Sequence, residues 1–394
     1  MEMKKGWQIK TLGDVCEVIA GQSPEGKFYN AEGKGMAFYQ GKKDFGDKFI
    51  EAPTTWTTQT TKIAKEGDIL MSVRAPVGPV NFATDAVCIG RGLAAIRSSD
   101  ELNRDFLFYQ LWHLQPEIAG REGAVFASIN KAEIEALPLA YAPLAEQQRI
   151  VGLLDEAFEG LATAKANAEK NLQNARALFE SHLQSVFTQR GPGWKVTTLG
   201  AEIDLLAGFA FKSAKYTNDE DDIRLLRGDN IIQGCLRWDD VKRWPADDTG
   251  NYERYELEEG DVVLAMDRPW VKAGLKHATI SAVDLPCLLV QRTARLRGGA
   301  NLDNRFLKQL IGSSAFTGHI LGVQTGIGVP HISGQQIKDF EFALPPVTEQ
   351  RRIADNLESL HEETQRLARL YERKLAALEA LKKSLLHQAF SGEL

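Results

Sequence analysis

The chain has 394 residues, of which 43% are apolar and 25% are charged, and its formal net charge is −6. This length suits two or three domains, and the composition excludes a disordered or collagen-like chain. No apolar run reaches the ~18 residues needed to span a bilayer and no secretory signal opens the sequence, which predicts a cytoplasmic protein without a membrane partner.

Neither half of the chain has the excess of positive charge that is typical of DNA-binding domains. Residues 1–145 carry 16 basic and 18 acidic groups, and residues 191–345 carry 18 and 21. Contacts with nucleic acid would therefore depend on local patches. The four cysteines lie far apart without a CxxC pair, which predicts reduced thiols rather than disulfides or a zinc site.

Residues 1–145 are predicted to form a globular domain of mixed helices and strands. Short apolar runs after Gly-Asp turns, such as GDILMSV from Gly67, predict strands. NRDFLFYQLWHLQPEI from Asn103 has helical spacing. Because no regular strand–helix alternation and no glycine-rich fingerprint is present, we expect an α+β fold rather than a doubly wound sheet.

A long helix is predicted over residues 146–190. The phrase PLAEQQRI from Pro143 opens it, and Gly191 with Pro192 ends it. Spacings of three and four predict a coiled-coil seam. The predicted seam residues are Ile150, Leu154, Ala157, Leu161, Ala164, Ala168, Leu172, Ala175 and Leu178.

The second half repeats the first, with a globular domain at residues 191–345 and a helix at residues 346–394. GWQIKTLG at Gly6 returns as GWKVTTLG at Gly193, and PLAEQQRI returns within PPVTEQRRI. The separation between equivalent residues grows from 187 to 203 along the globular part and is then constant along the helix. Insertions accumulate in loops, so the constant length indicates that each helix must match a partner of its own size.

The two helices are predicted to pack on each other in antiparallel orientation. The first seam is rich in alanine and the second in leucine, so small residues would face large ones. The second seam comprises Ile353, Leu357, Leu360, Thr364, Leu367, Tyr371, Leu375, Leu378, Leu381 and Leu385. The alternative is two unrelated surface helices, each lying on its own domain. Pairing would relate the two domains by an approximate twofold axis.

The sequence contains no recognisable catalytic motif. It lacks a P-loop, a nucleophile elbow and the Asp/Asn-Pro-Pro-aromatic tetrapeptide of amino-methyltransferases, and its seven histidines have no metal-ligand spacing. The segment HEETQ at His361 begins like a zinc-protease helix but lacks the second histidine. We therefore predict a non-catalytic protein without a bound cofactor or metal.

In this order of modules the chain resembles the specificity subunit of type I restriction–modification systems. The resemblance covers the whole length and rests on both openings of the form P-L/V-x-E-Q-x-R-I, on the two GW starts, on GFAFKSAKY from Gly208 and on LLHQAFSGEL near the end. It implies two target-recognition domains, each followed by a conserved spacer helix, and a target of two different half-sites separated by an unread gap.

The resemblance also implies the partners of the chain. These are double-stranded DNA, two methyltransferase subunits and, through them, restriction subunits. Adenine methylation and ATP-dependent cleavage would belong to the partner subunits, together with S-adenosylmethionine, ATP and Mg. This chain would supply only the target sequence.

The candidate DNA contacts are the polar and aromatic side chains of predicted loops, because bases are read by Arg, Lys, Asn, Gln and apolar groups. In the first domain they are Lys27, Tyr29, Tyr39, Gln40, Lys42, Lys43 and Arg74. In the second they are Lys212, Lys215, Tyr216, Arg227, Asn230, Arg268, Lys272 and His331. Each of them is alternatively a solvated surface side chain or a phosphate contact without base information.

Two other functions are compatible with the sequence. A duplicated coiled-coil scaffold that joins protein partners without reading DNA agrees with the sequence pI of about 5.8. A self-sufficient restriction enzyme is disfavoured by the missing methyltransferase and nuclease motifs. Loss of sequence-specific methylation when the chain is removed distinguishes the specificity subunit from the scaffold.

Overall fold

The same succession of strands and short helices occurs twice along the chain. The structure is a computed structural model that describes residues 6–119, 128–272, 274–326 and 330–394. It divides into unit 1, formed by residues 1–169 with 373–394, and unit 2, formed by residues 170–372. The helices and strands in each unit confirm the predicted α+β class, and each unit contains part of both long helices.

Unit 1 is built from short strands and from helices that lie mostly late in its sequence. Its strands are β1 (Gln8–Thr11), β2 (Cys16–Ala20), β3 (Tyr29–Asn30), β4 (Met36–Tyr39), β5 (Trp56–Thr57), β6 (Ile63–Ala64), β7 (Ile69–Ser72), β8 (Val80–Phe82), β9 (Val87–Ile89), β10 (Leu93–Ser98) and β11 (Pro138–Tyr141). Its helices are α1 (Leu12–Val15), α2 (Arg104–Ala119), α3 (Lys131–Glu135) and α4 (Leu144–Thr188), of which α4 continues into unit 2.

Unit 2 has a similar order, with differences in the short strands and with two helices in the place where unit 1 has α2 after β10. Its strands are β12 (Lys195–Thr198), β13 (Ile203–Ala207), β14 (Ile223–Leu226), β15 (Lys242–Trp244), β16 (Val262–Ala265), β17 (Trp270–Val271), β18 (Gly274–Leu275), β19 (His277–Thr279), β20 (Cys287–Leu289), β21 (Thr293–Gly298) and β22 (Glu341–Leu344). Its helices are α5 (Leu199–Glu202), α6 (Asn304–Gly312), α7 (Ser314–Val323), α8 (Gly334–Lys338) and α9 (Val347–Ser391), of which α9 continues into unit 1.

The sheets of the two units have equivalent strand orders. The antiparallel sheet β2-β10-β7-β8 of unit 1 corresponds to β13-β21-β16-β19 of unit 2, and the ribbon β1-β11 corresponds to β12-β22. In a second sheet β4 pairs with β9 in parallel, as β14 pairs with β20. The predicted strand GDILMSV contains the fully buried β7, and the corresponding run GDVVLAM from Gly260 contains the fully buried β16. Their continuous apolar character follows from burial on both faces.

One arginine in each unit holds equivalent strands together. The Arg97 guanidinium donates to both oxygens of the buried Asp68 carboxylate at 2.9 and 2.7 Å. Arg297 does the same with Asp261 at 2.7 and 2.9 Å. Such bidentate ion pairs have a specific geometry. Arg97 and Arg297 are therefore engaged in contacts within the fold.

A buried glutamine explains why the phrase EQ occurs at both helix starts. Gln147 at the start of α4 is fully buried; its Oε1 accepts from the Asn103 backbone N–H at 2.7 Å, and its Nε2 donates to the Ala142 carbonyl at 2.7 Å. Gln350 at the start of α9 accepts from the Asp303 N–H at 2.9 Å and donates to two carbonyls at 2.8 Å. Each amide satisfies backbone groups that burial would otherwise leave unpaired.

The two long helices, each 45 residues, pack in antiparallel orientation within each unit, as predicted. In unit 1 the Lys165 ammonium pairs with Glu379 at 3.1 Å, and in unit 2 Arg176 pairs with Glu372 at 2.7 Å. The Phe179 ring contacts the His361 ring at a centroid distance of 4.6 Å, so His361 is a helix-pairing residue. Burial at this contact lowers the pKa of His361.

The predicted seam is wrong at one position in each helix. Leu178 and Leu381 are about half exposed, whereas Leu183 of α4 and Leu386 of α9 are buried in the cores of units 2 and 1. The buried face moves because the partner of each helix changes from the other helix to a globular domain. Straight helices also drift by about 20° per heptad from a strict repeat.

Candidate nucleic-acid interface

In unit 1 three strand ends meet at one edge. We call this edge rim 1; it consists of the residues directly after β4, directly after β7 and between β9 and β10. The Gly90 N–H donates to the Tyr39 carbonyl at 2.8 Å, and the Val73 N–H donates to the Gly92 carbonyl at 2.9 Å. A Cβ at Gly92 would lie 2.2 Å from the Gln40 carbonyl oxygen, so only glycine permits this approach.

Three exposed side chains of rim 1 belong to the residue types that read bases. Gln40 follows β4, Arg74 follows β7, and Arg91 lies between β9 and β10. Glutamine can pair with adenine, and arginine pairs with guanine or with a phosphate. Lys42, two residues beyond Gln40, is also exposed. Rim 1 therefore concentrates donors on one edge of a unit whose net charge is close to balanced.

Unit 2 forms an equivalent edge, rim 2, from the residues directly after β14, directly after β16 and between β20 and β21. The Met266 N–H donates to the Arg292 carbonyl at 2.8 Å, and the Val290 N–H donates to the Leu226 carbonyl at 3.1 Å. These bonds join the same strand ends as in rim 1. Both rims therefore stand on one backbone framework.

Rim 2 surrounds a pocket of about 660 Å³. Arg227, Arg268 and Arg292 line it, one from each strand end, and Lys276 lies among them. Tyr216, Gly228, Asp229, Asp267, Trp270, Val290 and Gln291 complete the lining. The four cations outnumber the two carboxylates, so the pocket favours an anionic group although unit 2 as a whole is acidic.

Two residues of the pocket have the left-handed backbone conformation that side chains rarely adopt. Arg268 has a φ of 46° and Arg292 a φ of 66°. Such conformations are costly for residues other than glycine and accumulate at functional sites. Both arginines are exposed, and Arg292 pairs with Asp267 at 3.2 Å.

The predicted contacts of unit 1 fall into three groups. Gln40, Lys42 and Arg74 lie exposed on rim 1. Lys27 and Lys43 are exposed but pair with their neighbours Glu25 and Asp44 at 2.7 and 3.9 Å. Tyr29 is half-buried, stacks on the Phe38 ring at 4.8 Å and donates its hydroxyl to the Pro24 carbonyl at 2.8 Å.

Tyr39 and Asn230 need correction, because both are 98% buried. The Tyr39 hydroxyl donates to the Glu51 carbonyl at 2.8 Å, and desolvation raises its pKa to about 12. The Asn230 amide accepts from the Arg227 N–H at 3.1 Å and donates to the Arg237 carbonyl at 3.0 Å. Tyr39 is a core residue, and Asn230 shapes the turn that presents Arg227.

Five of the remaining predicted residues of unit 2 lie on or near rim 2, and two lie elsewhere. Tyr216, Arg227 and Arg268 line the pocket. His331 is hydrogen-bonded to Asp267, a pocket residue, and Lys272 is exposed next to β17. Lys212 and Lys215 are exposed on another loop, where Lys215 pairs with Asp248 at 3.1 Å.

Sequence reasoning missed Arg91, Gln291, Arg292 and Lys276. Arg91 and Gln291 occupy equivalent positions between paired strands, and a signal for them was available because both follow an apolar strand and precede another. Lys276 is buried, and loop composition gave no reason to select it. Desolvation lowers the pKa of Lys276. The nearby Asp229 carboxylate opposes this shift, and Arg237 and Arg268 add to it.

No group of three His, Cys, Asp or Glu side chains among the described residues could hold a metal ion. Hydropathy along the described helices stays below the level required for crossing a membrane.

Residues 4–172 match the model of the family described as Type I restriction modification DNA specificity domain. The putative type I restriction enzyme MjaX specificity subunit of Methanocaldococcus jannaschii is 38% identical over 179 residues, which cover 44% of this chain and 42% of that protein. The EcoAI specificity subunit of Escherichia coli is 41% identical over 43% of this chain and 28% of its own length. These two matches thus span less than half of either relative.

One relative matches along the whole chain. The MjaVIII specificity subunit of Methanocaldococcus jannaschii is 23% identical over all of this chain and 94% of its own length. Two solved structures have the same fold over the whole chain. One comes from a study of complex assembly in the type I R-M system, with a TM-score of 0.79 at 18% identity and full coverage of both chains. The other is the HsdS subunit from Thermoanaerobacter tengcongensis, with a TM-score of 0.67 at 19% identity, covering 99% of that chain.

Proposed function

We propose that the chain is the specificity subunit of a type I restriction–modification system and selects the DNA target of such a complex, a proposal supported by its similarity to specificity subunits over residues 4–172 and, at lower identity, along the whole chain. Unit 1 reads one half of a two-part target through rim 1, and unit 2 reads the other half through rim 2. The observation that carries the proposal is the pair of rims, in which equivalent strand ends present different base-reading side chains.

The differences between the rims favour two different half-sites. Gln40 on rim 1 corresponds to Arg227 on rim 2, and Arg74 corresponds to Asp267, because the strands before them align in both units. Amide, guanidinium and carboxylate groups prefer different base edges. Because the two rims present different side chains on the same backbone framework, we expect the two half-sites of the DNA target to differ.

We assign the chemistry of the complex to partner subunits. The helix pair docks two methyltransferase subunits, which carry S-adenosylmethionine and methylate adenine, and restriction subunits with ATP and Mg join through them. In this chain no residue is assigned a catalytic role. The rims bind and orient the DNA, and the helix pair spaces the two half-sites.

The function is tested by sequencing modified bases in the host genome with and without the gene. We expect methyladenine to disappear from one asymmetric, two-part motif when the gene is deleted and to return when the intact gene is restored. A gene copy with Gln40, Arg74 and Arg268 changed to Ala is the matched control for expression. Unchanged methylation at every motif after deletion would instead support the alternative function, a coiled-coil scaffold that joins protein partners without reading DNA.

We further propose that the helix pair sets the gap between the half-sites. Each 45-residue helix is about 68 Å long, which exceeds the 34–36 Å of one DNA turn. Four inserted residues lengthen a helix by about 6 Å and rotate its end by about 40°. One base pair adds about 3.4 Å and about 34° to DNA, so rotation and length match a change of one to two base pairs.

An insertion in both helices tests this spacing. Copies of residues 166–169 placed after Glu169 and of residues 369–372 placed after Glu372 should widen the gap in the methylated motif by one to two base pairs. Four residues inserted after Glu220, in an exposed loop of unit 2, should leave the gap unchanged. A motif with its original gap in the double-insertion variant would contradict the spacing role.

A further inference from the structure

Lys276 is the least expected side chain of the pocket in rim 2. The residue as a whole is 92% buried, whereas its Nζ is accessible from the pocket and has no hydrogen bond or ion pair to any residue that the structure describes. An ammonium at the end of a largely buried side chain, with no carboxylate paired to it, favours an anionic ligand in the pocket that it lines. The backbone fixes its position, since the Lys276 N–H donates to the Pro269 carbonyl and the Ala265 N–H donates to the Lys276 carbonyl, at 2.7 and 3.0 Å.

A second donor at the same pocket also lacks an acceptor. The Arg227 Nε is buried and has no hydrogen-bond partner among the described residues, although the Nη2 of the same guanidinium donates to the Asp240 carboxylate at 2.9 Å. The Nε itself is closed to the pocket, but the Lys276 ammonium and three guanidinium groups line it, so the pocket calls for an anionic ligand that accepts hydrogen bonds. The phosphate oxygens of DNA carry no proton at neutral pH, so they only accept hydrogen bonds. Their negative charge would pair with the Lys276 ammonium.

The shape of the pocket selects between the two parts of DNA that accept hydrogen bonds. Base edges lie at the floor of a groove and are reached by protruding side chains, such as the exposed Arg268 and Arg292. Lys276 is recessed, so a group must enter the pocket to reach it. The phosphates form the projecting ridges of the duplex, and they fit a concave site.

We propose that this pocket, which Lys276 lines together with three arginines, binds one backbone phosphate of DNA and fixes the register of unit 2 on its half-site. The inference rests on the proposed function of the chain. Lys276 is a positioning residue: its contact carries no base information, while the exposed arginines of rim 2 read the bases beside the bound phosphate.

Unit 1 has a proline, which carries no ammonium, at the position equivalent to Lys276. The register of β7 with β8 and of β16 with β19 places Pro79 at the position of Lys276. The Ser72 N–H donates to the Pro79 carbonyl at 2.8 Å, as the Ala265 N–H does to Lys276. The two units therefore grip the DNA backbone differently, and removal of the Lys276 ammonium affects one half-site only.

The test compares Lys276→Met with Lys195→Met, an exposed lysine on β12 of the same unit. Full-length chain in complex with its methyltransferase subunits is titrated with cognate and scrambled duplexes at several salt concentrations. We expect Lys276→Met to weaken binding of both duplexes by about ten- to a hundredfold at low salt and to reduce the slope of log K against log salt by about one. Lys195→Met should change neither value.

A second readout separates this role from a structural one. Because Lys276→Met keeps the apolar stem of the side chain and removes only the ammonium, its melting temperature should not fall while DNA binding weakens. Lys276→Gln, which keeps a polar head, replaces it in the titrations if Lys276→Met fails to fold.

Several outcomes would overturn the assignment. An unchanged salt slope means that no phosphate is bound here, and a motif relaxed at one base pair means that Lys276 reads a base. Stabilisation of the wild-type chain, but not of Lys276→Met, by low millimolar inorganic phosphate assigns the pocket to a small phosphate compound instead. If the wild-type complex binds cognate and scrambled duplexes equally, the proposed function fails first.

Discussion

Replacing residues 1–145 by the corresponding domain of a relative with another target should change one half of the methylated motif completely and leave the other half and the gap as they were. The reason is that rim 1 lies wholly within these residues, whereas the elements that continue into the helix pair are common to both units. The measurement is sequencing of modified bases in cells that carry the exchanged gene.

The exchange must preserve the contacts that join the domain to the helices. The Phe106 ring packs against Phe390 of α9 at 5.2 Å, and Leu154 of α4 lies in the same core. A donor domain with an aromatic residue at the Phe106 position keeps this core. The reciprocal exchange of residues 191–345 is the control and should change only the other half. Changes in both halves from one exchange would contradict independent reading.

Gln147→Ala should destabilise unit 1 by about 3–4 kcal/mol, because it removes two good hydrogen bonds and a buried side chain and leaves the Asn103 N–H and the Ala142 carbonyl unpaired. The adjacent Gln148 offers a matched control, since it is the same residue type in the same turn but exposed. Gln148→Ala should stay within about 0.5 kcal/mol of the wild type.

Thermal unfolding and native-state hydrogen exchange measure this difference. Exchange should accelerate at the amides around Asn103 and at the start of α4 in Gln147→Ala only, because the loss is local to unit 1. Gln350→Ala should give the same effect in unit 2 around Asp303. Equal melting temperatures for the variants at 147 and 148 would show that the buried amide does not anchor the helix.

The large features of the fold were predictable because they repeat. A constant offset of 203 residues indicated matched helices, and the antiparallel pairing within both units confirms that interpretation. The predicted seam is wrong at Leu381. The adjacent Lys382 takes its place, and its ammonium lies 3.9 Å from the centre of the Trp112 ring. Burial lowers the pKa of Lys382. A half-buried lysine that lies over an aromatic ring has no periodic signature in the sequence.

The candidate site was predictable only in part, for a different reason. Loop composition selected Gln40, Arg74 and Arg268 because exposed polar residues follow strands there. The same rule selected Tyr39, which is the last residue of a buried strand, and it passed over Lys276, which is recessed. Burial of a single side chain depends on pairing across the sheet, and residues distant in sequence determine that pairing.

The division of the chain into units has a consequence for the order of folding during synthesis. Unit 2 is one continuous stretch, residues 170–372, so all of its core is available once that stretch has left the ribosome. Unit 1 begins earlier but takes Leu386 and Ala389 into its core, and both are made after unit 2. The domain that is synthesised first is therefore completed last, and until then its apolar face stays open to solvent or to chaperones.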